Sequence, residues 1–162
     1  LYSLAINKQT FYLTNMQPQY KVFNGSDKNY KYKGLWINME HFLYNFVSGT
    51  KFSSADSLFV CKGGTIDSEN QILQRIGGKM IVPKYFYAAV VWKRAKLNVC
   101  SGIAFWFEHT NVYHGDDALK GYVVSISELQ NKLGNKIDFF CNLPDKTEAQ
   151  VEKVAATMDF GL

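Results

Sequence analysis

No apolar run in this sequence approaches the roughly 20 residues needed to cross a bilayer as a helix; the longest, Tyr85 to Trp92 and Ile103 to Phe107, stop well short of it. Cysteines are few and far apart. Cys61, Cys100 and Cys141 match neither a disulfide framework nor a CxxC-type zinc site and read as ordinary core thiols, with one bridged pair left open. Internal repeats, low-complexity runs and linkers are missing, so residues 1–162 read as a single domain. An acidic excess is missing too, and the net charge of +4 suits attraction to a polyanion without singling one out. The chain opens on Leu1 without the charged-then-apolar pattern of a signal peptide, and an upstream segment is expected ahead of it.

A regular alternation of strand and helix is also absent, which argues against a parallel α/β sheet and for an α+β fold, with a central, mainly antiparallel sheet flanked by helices. Strands are expected at Gln9 to Leu13, Ser57 to Lys62 (stopped by Gly63-Gly64), Lys79 to Val82 and Gly121 to Ser125. Tyr85 to Lys93 and Val99 to Phe107, rich in aromatic and β-branched residues, read as a hairpin central to the sheet. Leu35, Met39, Phe42, Leu43, Phe46 and Val47 recur at helical spacing and predict a helix over Leu35 to Val47. Ser125 with Glu128 has the spacing of a capping box, and Gly134 stands where that helix would stop. A last helix is expected from a cap at Asp145 to about Met158.

The chemically densest stretch is Leu13-Thr14-Asn15-Met16-Gln17-Pro18-Gln19, followed by Asn24-Gly25 and then Trp36 and Glu40. Bunched amides can order a loop through its backbone, and they can equally offer neutral oxygens to a hard cation such as Mg2+. Residue types alone leave both readings open.

The same stretch resembles the DNA/RNA non-specific endonuclease family, the ββα-metal or His-Me finger nucleases. Thr10 to Met16 with Pro18-Gln19 is similar to the family's aromatic strand, Ser/Thr-Asn-Met and Pro-Gln phrase. Phe23-Asn24 and Gly34-Leu35-Trp36-Ile37-Asn38-Met39-Glu40 resemble its Asn-x-Gly-x-Trp-x-x-Leu/Met-Glu segment. Lys62-Gly63-Gly64-Thr65-Ile66 resembles its Gly-rich turn, Val82-Pro83-Lys84-Tyr85-Phe86-Tyr87 its strand entry, and Asp138-Phe139-Phe140 with Leu143-Pro144 and Val151-Glu152 its final turn and helix. Each phrase is weak alone; their shared order gives them weight.

The resemblance implies a metal-dependent endonuclease that cuts DNA and RNA to 5′-phosphate products, using one Mg2+, or Mn2+, held by a single asparagine. Asn24, nine residues after Asn15, takes that place, with Asn29 as second choice. Glu40 matches a helix glutamate that holds the ion's water, Asn15 a site asparagine that orders the loop, and Trp36 reads as the core anchor of the helix. The bland reading of Glu40 is a solvated helix carboxylate. A secreted or periplasmic bacterial protein is the expected setting, and a second copy of the chain is carried as a further partner beside nucleic acid.

Two departures from the pattern matter. The family's general base is a histidine in an Asp-Arg-Gly-His phrase, which this sequence lacks; Leu1 to Gln9 resembles the stretch just after it, so the histidine is expected ahead of Leu1 and the chain alone is expected to be inactive. His41, His109 and His114 read as structural or surface residues. The second departure is an insertion between Asn24 and Trp36, in which Lys28, Lys31 and Lys33 alternate with tyrosines. That run reads either as a contact to phosphates and single-stranded bases or as a solvated loop. A nucleic-acid-binding module that keeps the fold without the chemistry is the alternative function, and a purely structural sheet protein a weaker third.

Overall fold

The computed structural model describes residues 16–25 and 34–162; the expected strand at Gln9 to Leu13, together with Asn15, Lys28, Asn29, Lys31 and Lys33, lies outside them. In chain order the helices are α1 (Lys21–Asn24), α2 (Leu35–Ser48), α3 (Ile126–Lys132), α4 (Asp145–Lys153) and α5 (Thr157–Phe160). The strands are β1 (Ser57–Gly64), β2 (Ile72–Ile76), β3 (Met80–Pro83), β4 (Tyr85–Arg94), β5 (Val99–Glu108) and β6 (Val123–Val124). One antiparallel sheet has the order β1-β4-β5-β6, and β2 and β3 form a separate two-stranded ribbon.

The apolar run in β4 follows from its position, since it is covered on both faces. Phe86, Ala88, Val90 and Trp92 point to a core shared with Met39, Leu43 and Phe46 of α2, while Ala89 and Val91 point to a second core with Ile126 and Leu129 of α3 and Val151 of α4. The architecture is therefore helix, sheet, helices, with the β4–β5 hairpin at its centre as expected. No side chain caps the start of α2 at Gly34. A cap would be worth about 1 kcal/mol, whereas each of the buried Leu35, Met39, Leu43 and Phe46 contributes about 1.5–3 kcal/mol, so packing against the sheet decides where this helix sits.

Several expectations need correction. β1 runs on through its glycines, because Gly63 and Gly64 still pair with Tyr87 and Phe86 and backbone pairing needs no side chain. β2 was not expected: four of its five residues are exposed, so burial imprinted little pattern on it, and its turn to β3 is made by Gly77 and Gly78, both at positive φ. β3 includes Pro83, and the expected strand at Gly121 to Ser125 shrinks to the two residues of β6 after a tight turn at Leu119–Tyr122. Ser125 does cap α3, accepting from the Glu128 N–H at 3.0 Å. Asp145 does not cap α4, whose N-cap is Pro144. The single last helix is two, because the chain is extended at Val154 and the Ala156 N–H donates to the Gly102 carbonyl at 2.9 Å. Phe160 then returns to the core and stacks on Phe46 at 5.0 Å. The thiols are free, and core packing holds for one of the three: Cys61 and Cys141 are exposed, while Cys100 is half-buried against the second core.

Candidate functional site

At the end of β1, between α1 and α2, lies an open cleft of about 590 Å³ whose polar lining is Gln17, Gln19, Asn24, Glu40 and Lys62. Trp36 and Phe86 form its apolar wall and are themselves largely buried in the core. Asn24 reaches this cleft because α1 is a single turn pinned by its neighbour. Phe23 is buried among rings, 5.4 Å from Phe86 and 6.1 Å from Trp36, which leaves the next side chain, Asn24, exposed. The Phe23 and Asn24 N–H groups both donate to the Tyr20 carbonyl at 3.0 Å.

Tyr20 is in turn fixed by His109. The Tyr20 N–H donates to His109 Nε2 at 2.8 Å, and His109 Nδ1 lies 2.9 Å from the Pro83 carbonyl, which can only accept. The ring therefore carries its proton on Nδ1, and both nitrogens are used. As expected His109 is structural, but it is buried beneath the site and holds the α1 turn against the sheet. Burial lowers its pKa below the usual 6.5, with the Pro83 contact opposing the shift. A depressed folded-state pKa means that the unfolded chain takes up the proton first as pH falls. Stability contributed by neutral His109 is thus fully present above about pH 6.5 and is lost as pH falls below it. Thermal melts between pH 8 and pH 5 should show the midpoint declining in that window, ahead of the carboxylate range; a flat or rising midpoint there contradicts this role.

Glu40, on the face of α2 turned to the cleft, forms an ion pair with Lys62 of β1, and the Lys62 ammonium lies 5.6 Å from the centre of the Trp36 ring. Both partners remain partly exposed, Lys62 at 49% and Glu40 at 37% of the side chain. Two of the residues singled out by sequence, Asn24 and Glu40, are therefore brought into one cleft, and Trp36 is the core anchor expected. Among the described residues no histidine lines the cleft: His41 is exposed on α2, and His114 bonds Asp117 at 3.1 Å. Gly25 and Gly34, which flank the insertion, are joined by a hydrogen bond from the Gly34 N–H to the Gly25 carbonyl at 2.9 Å, so the extra residues do not separate Asn24 from α2.

Sequence reasoning did not give Lys62 a role beyond the Gly-rich turn. Its partner lies 22 residues away, and only the fold joins them. Elsewhere, Asp138, Glu148 and Glu152 place carboxylate oxygens within 4.8 Å of one another, and burial, followed by the nearby Glu148 and Asp138 charges, raises the pKa of Glu152.

The structure is similar to the crystal structure of EndoG in its complex with EndoGI, with a TM-score of 0.59 and 21% identity over 86% of this chain and 54% of that one. The fold is that of the ββα-metal nucleases, and the chain spans about half the length of this relative. The sequence pattern of the DNA/RNA non-specific endonucleases matches residues 1–146, and the chain belongs to that family. No curated protein matches it.

Proposed function

We propose that this chain carries the metal-binding and phosphate-binding part of an endonuclease that hydrolyses phosphodiester bonds in DNA and RNA to 5′-phosphate products. The observation that carries the reading is the shared cleft of Asn24 and Glu40, one amide oxygen and one carboxylate on an open, solvent-reached surface. Neutral oxygens with a single carboxylate suit Mg2+, or Mn2+, which keeps several waters and meets substrate phosphate directly. Asn24 would hold the ion. When bound, it supplies positive charge where negative charge develops on the phosphate and the leaving 3′ oxygen.

The chain's own residues bind and orient. Asn24 offers its amide oxygen from a turn that Phe23 and His109 keep rigid. Glu40 accepts hydrogen bonds from water in the cleft and aligns it, and the Trp36 and Phe86 wall excludes solvent from one side. Among the described residues no histidine lines the cleft, so the proton acceptor is not one of His41, His109 and His114. A site of this kind contacts the backbone that all nucleic acids share and not the edges of bases, which accounts for low sequence preference.

The full-length protein incubated with supercoiled plasmid, and separately with RNA, should degrade both when Mg2+ or Mn2+ is present and neither when chelator is added. Binding without cleavage under every metal condition would assign the binding-module function instead, and absence of both would remove the reading.

A further inference from the structure

We propose that Lys62 is a phosphate-contacting residue of the cleft, parked on Glu40 in the free protein and available to a non-bridging phosphate oxygen when nucleic acid arrives. This deepens the endonuclease reading and rests on it. The first support is position. Lys62 stands two residues before the end of β1, and the residues that follow it, Gly63 and Gly64, have no side chains, so the ammonium is the side-chain group that this strand brings to the cleft, beside the Gly63 backbone.

The second support is energetic. The Lys62–Glu40 pair is half-exposed, and such pairs contribute little to stability because water screens them and two long side chains must be held still. A geometry maintained at so little benefit to the fold is easily exchanged for another partner. Charge balance gives the direction of exchange. Glu40 and Lys62 are the charged side chains among the described residues lining the cleft, and they cancel. With a divalent ion held at Asn24 and Glu40 the carboxylate would be neutralised, and the ammonium would be left as surplus positive charge beside the apolar Trp36 and Phe86 wall, where low polarisability strengthens its field. An incoming phosphate supplies the missing anion. The Trp36 ring, 5.6 Å away, holds the ammonium over its face and limits where it can swing.

The test measures binding, separately from cleavage. Affinity of the full-length protein for a cleavage-resistant phosphorothioate duplex is followed against salt concentration with Mg2+ present, for the wild type, Lys62→Gln, Lys62→Arg and a distant control, Lys96→Gln, on the exposed β4–β5 turn. One lost phosphate contact should reduce the slope of log K against log salt by about 0.9 for duplex and about 0.7 for a single strand. The expected result is that reduction for Lys62→Gln alone, with the slope kept by Lys62→Arg and Lys96→Gln. A purely structural ion pair would lower the melting temperature of Lys62→Gln and leave the slope intact, which overturns the proposal. Failure of the plasmid assay with the slope change preserved would reject the nuclease reading but keep Lys62 as a phosphate contact; no binding by the wild type would reject both.

Discussion

Asn24→Ala in the full-length protein should lower metal-dependent cleavage of plasmid and RNA by about a hundred- to a thousand-fold, the range seen when one group stabilising transition-state charge is removed. The side chain is exposed and the turn beneath it is held by Phe23 and the Tyr20 carbonyl, so folding should be unchanged. A calorimetric titration with Mn2+ should show metal affinity falling in parallel, which separates loss of the ion from loss of substrate binding. Glu40→Gln, which keeps the shape but weakens acceptance from water, should cost about 10- to 100-fold. If Asn24→Ala keeps its rate while Asn29→Ala loses it, the ligand assignment moves and the class of chemistry stays.

The second large effect is on the frame that presents Asn24. Gly34 is buried at the start of α2 with φ −64° and ψ 147°, a conformation open to any residue, so its identity is a matter of space. A Cβ there would stand 2.0 Å from the Phe23 carbonyl oxygen and 2.9 Å from the Asn24 nitrogen, and both are backbone atoms that no rotamer change can clear. Gly34→Ala should therefore destabilise the protein by about 3 kcal/mol or more. It should also lower cleavage in whatever remains folded, because relief comes only by moving α1 away from α2. Gly121→Ala is the matched control, with nothing within 4 Å of its Cβ. Equal denaturation midpoints for the two variants would contradict the close approach.

How much of this was legible from sequence follows from how strongly burial had marked each segment. The six apolar positions of Leu35 to Val47 gave α2 almost to the residue, and the β4–β5 hairpin announced itself because covering both faces makes nearly every position apolar. β2 escaped notice because four of its five residues are exposed and burial left no pattern on it, and the break between α4 and α5 escaped because it is imposed by Gly102, some fifty residues earlier in the chain. The cysteines misled because a thiol is usually buried, whereas Cys61 is exposed on β1, the edge of the sheet among the described residues. At the site, Asn24 and Glu40 were found through the order of short phrases, which fixes residues along the chain. Lys62 required the third dimension, since nothing in a Lys-Gly-Gly turn says that a helix carboxylate waits across from it.

The hydrogen bond between Gly34 and Gly25 makes the segment between them a side excursion that leaves and rejoins the chain at one place. Closing a longer excursion costs only slowly more entropy, about 0.6 kcal/mol for each doubling of its length. The spacing of Asn24 and Glu40 is therefore set by the contact between Gly25 and Gly34, and a tract of different length between those two glycines should leave it unchanged.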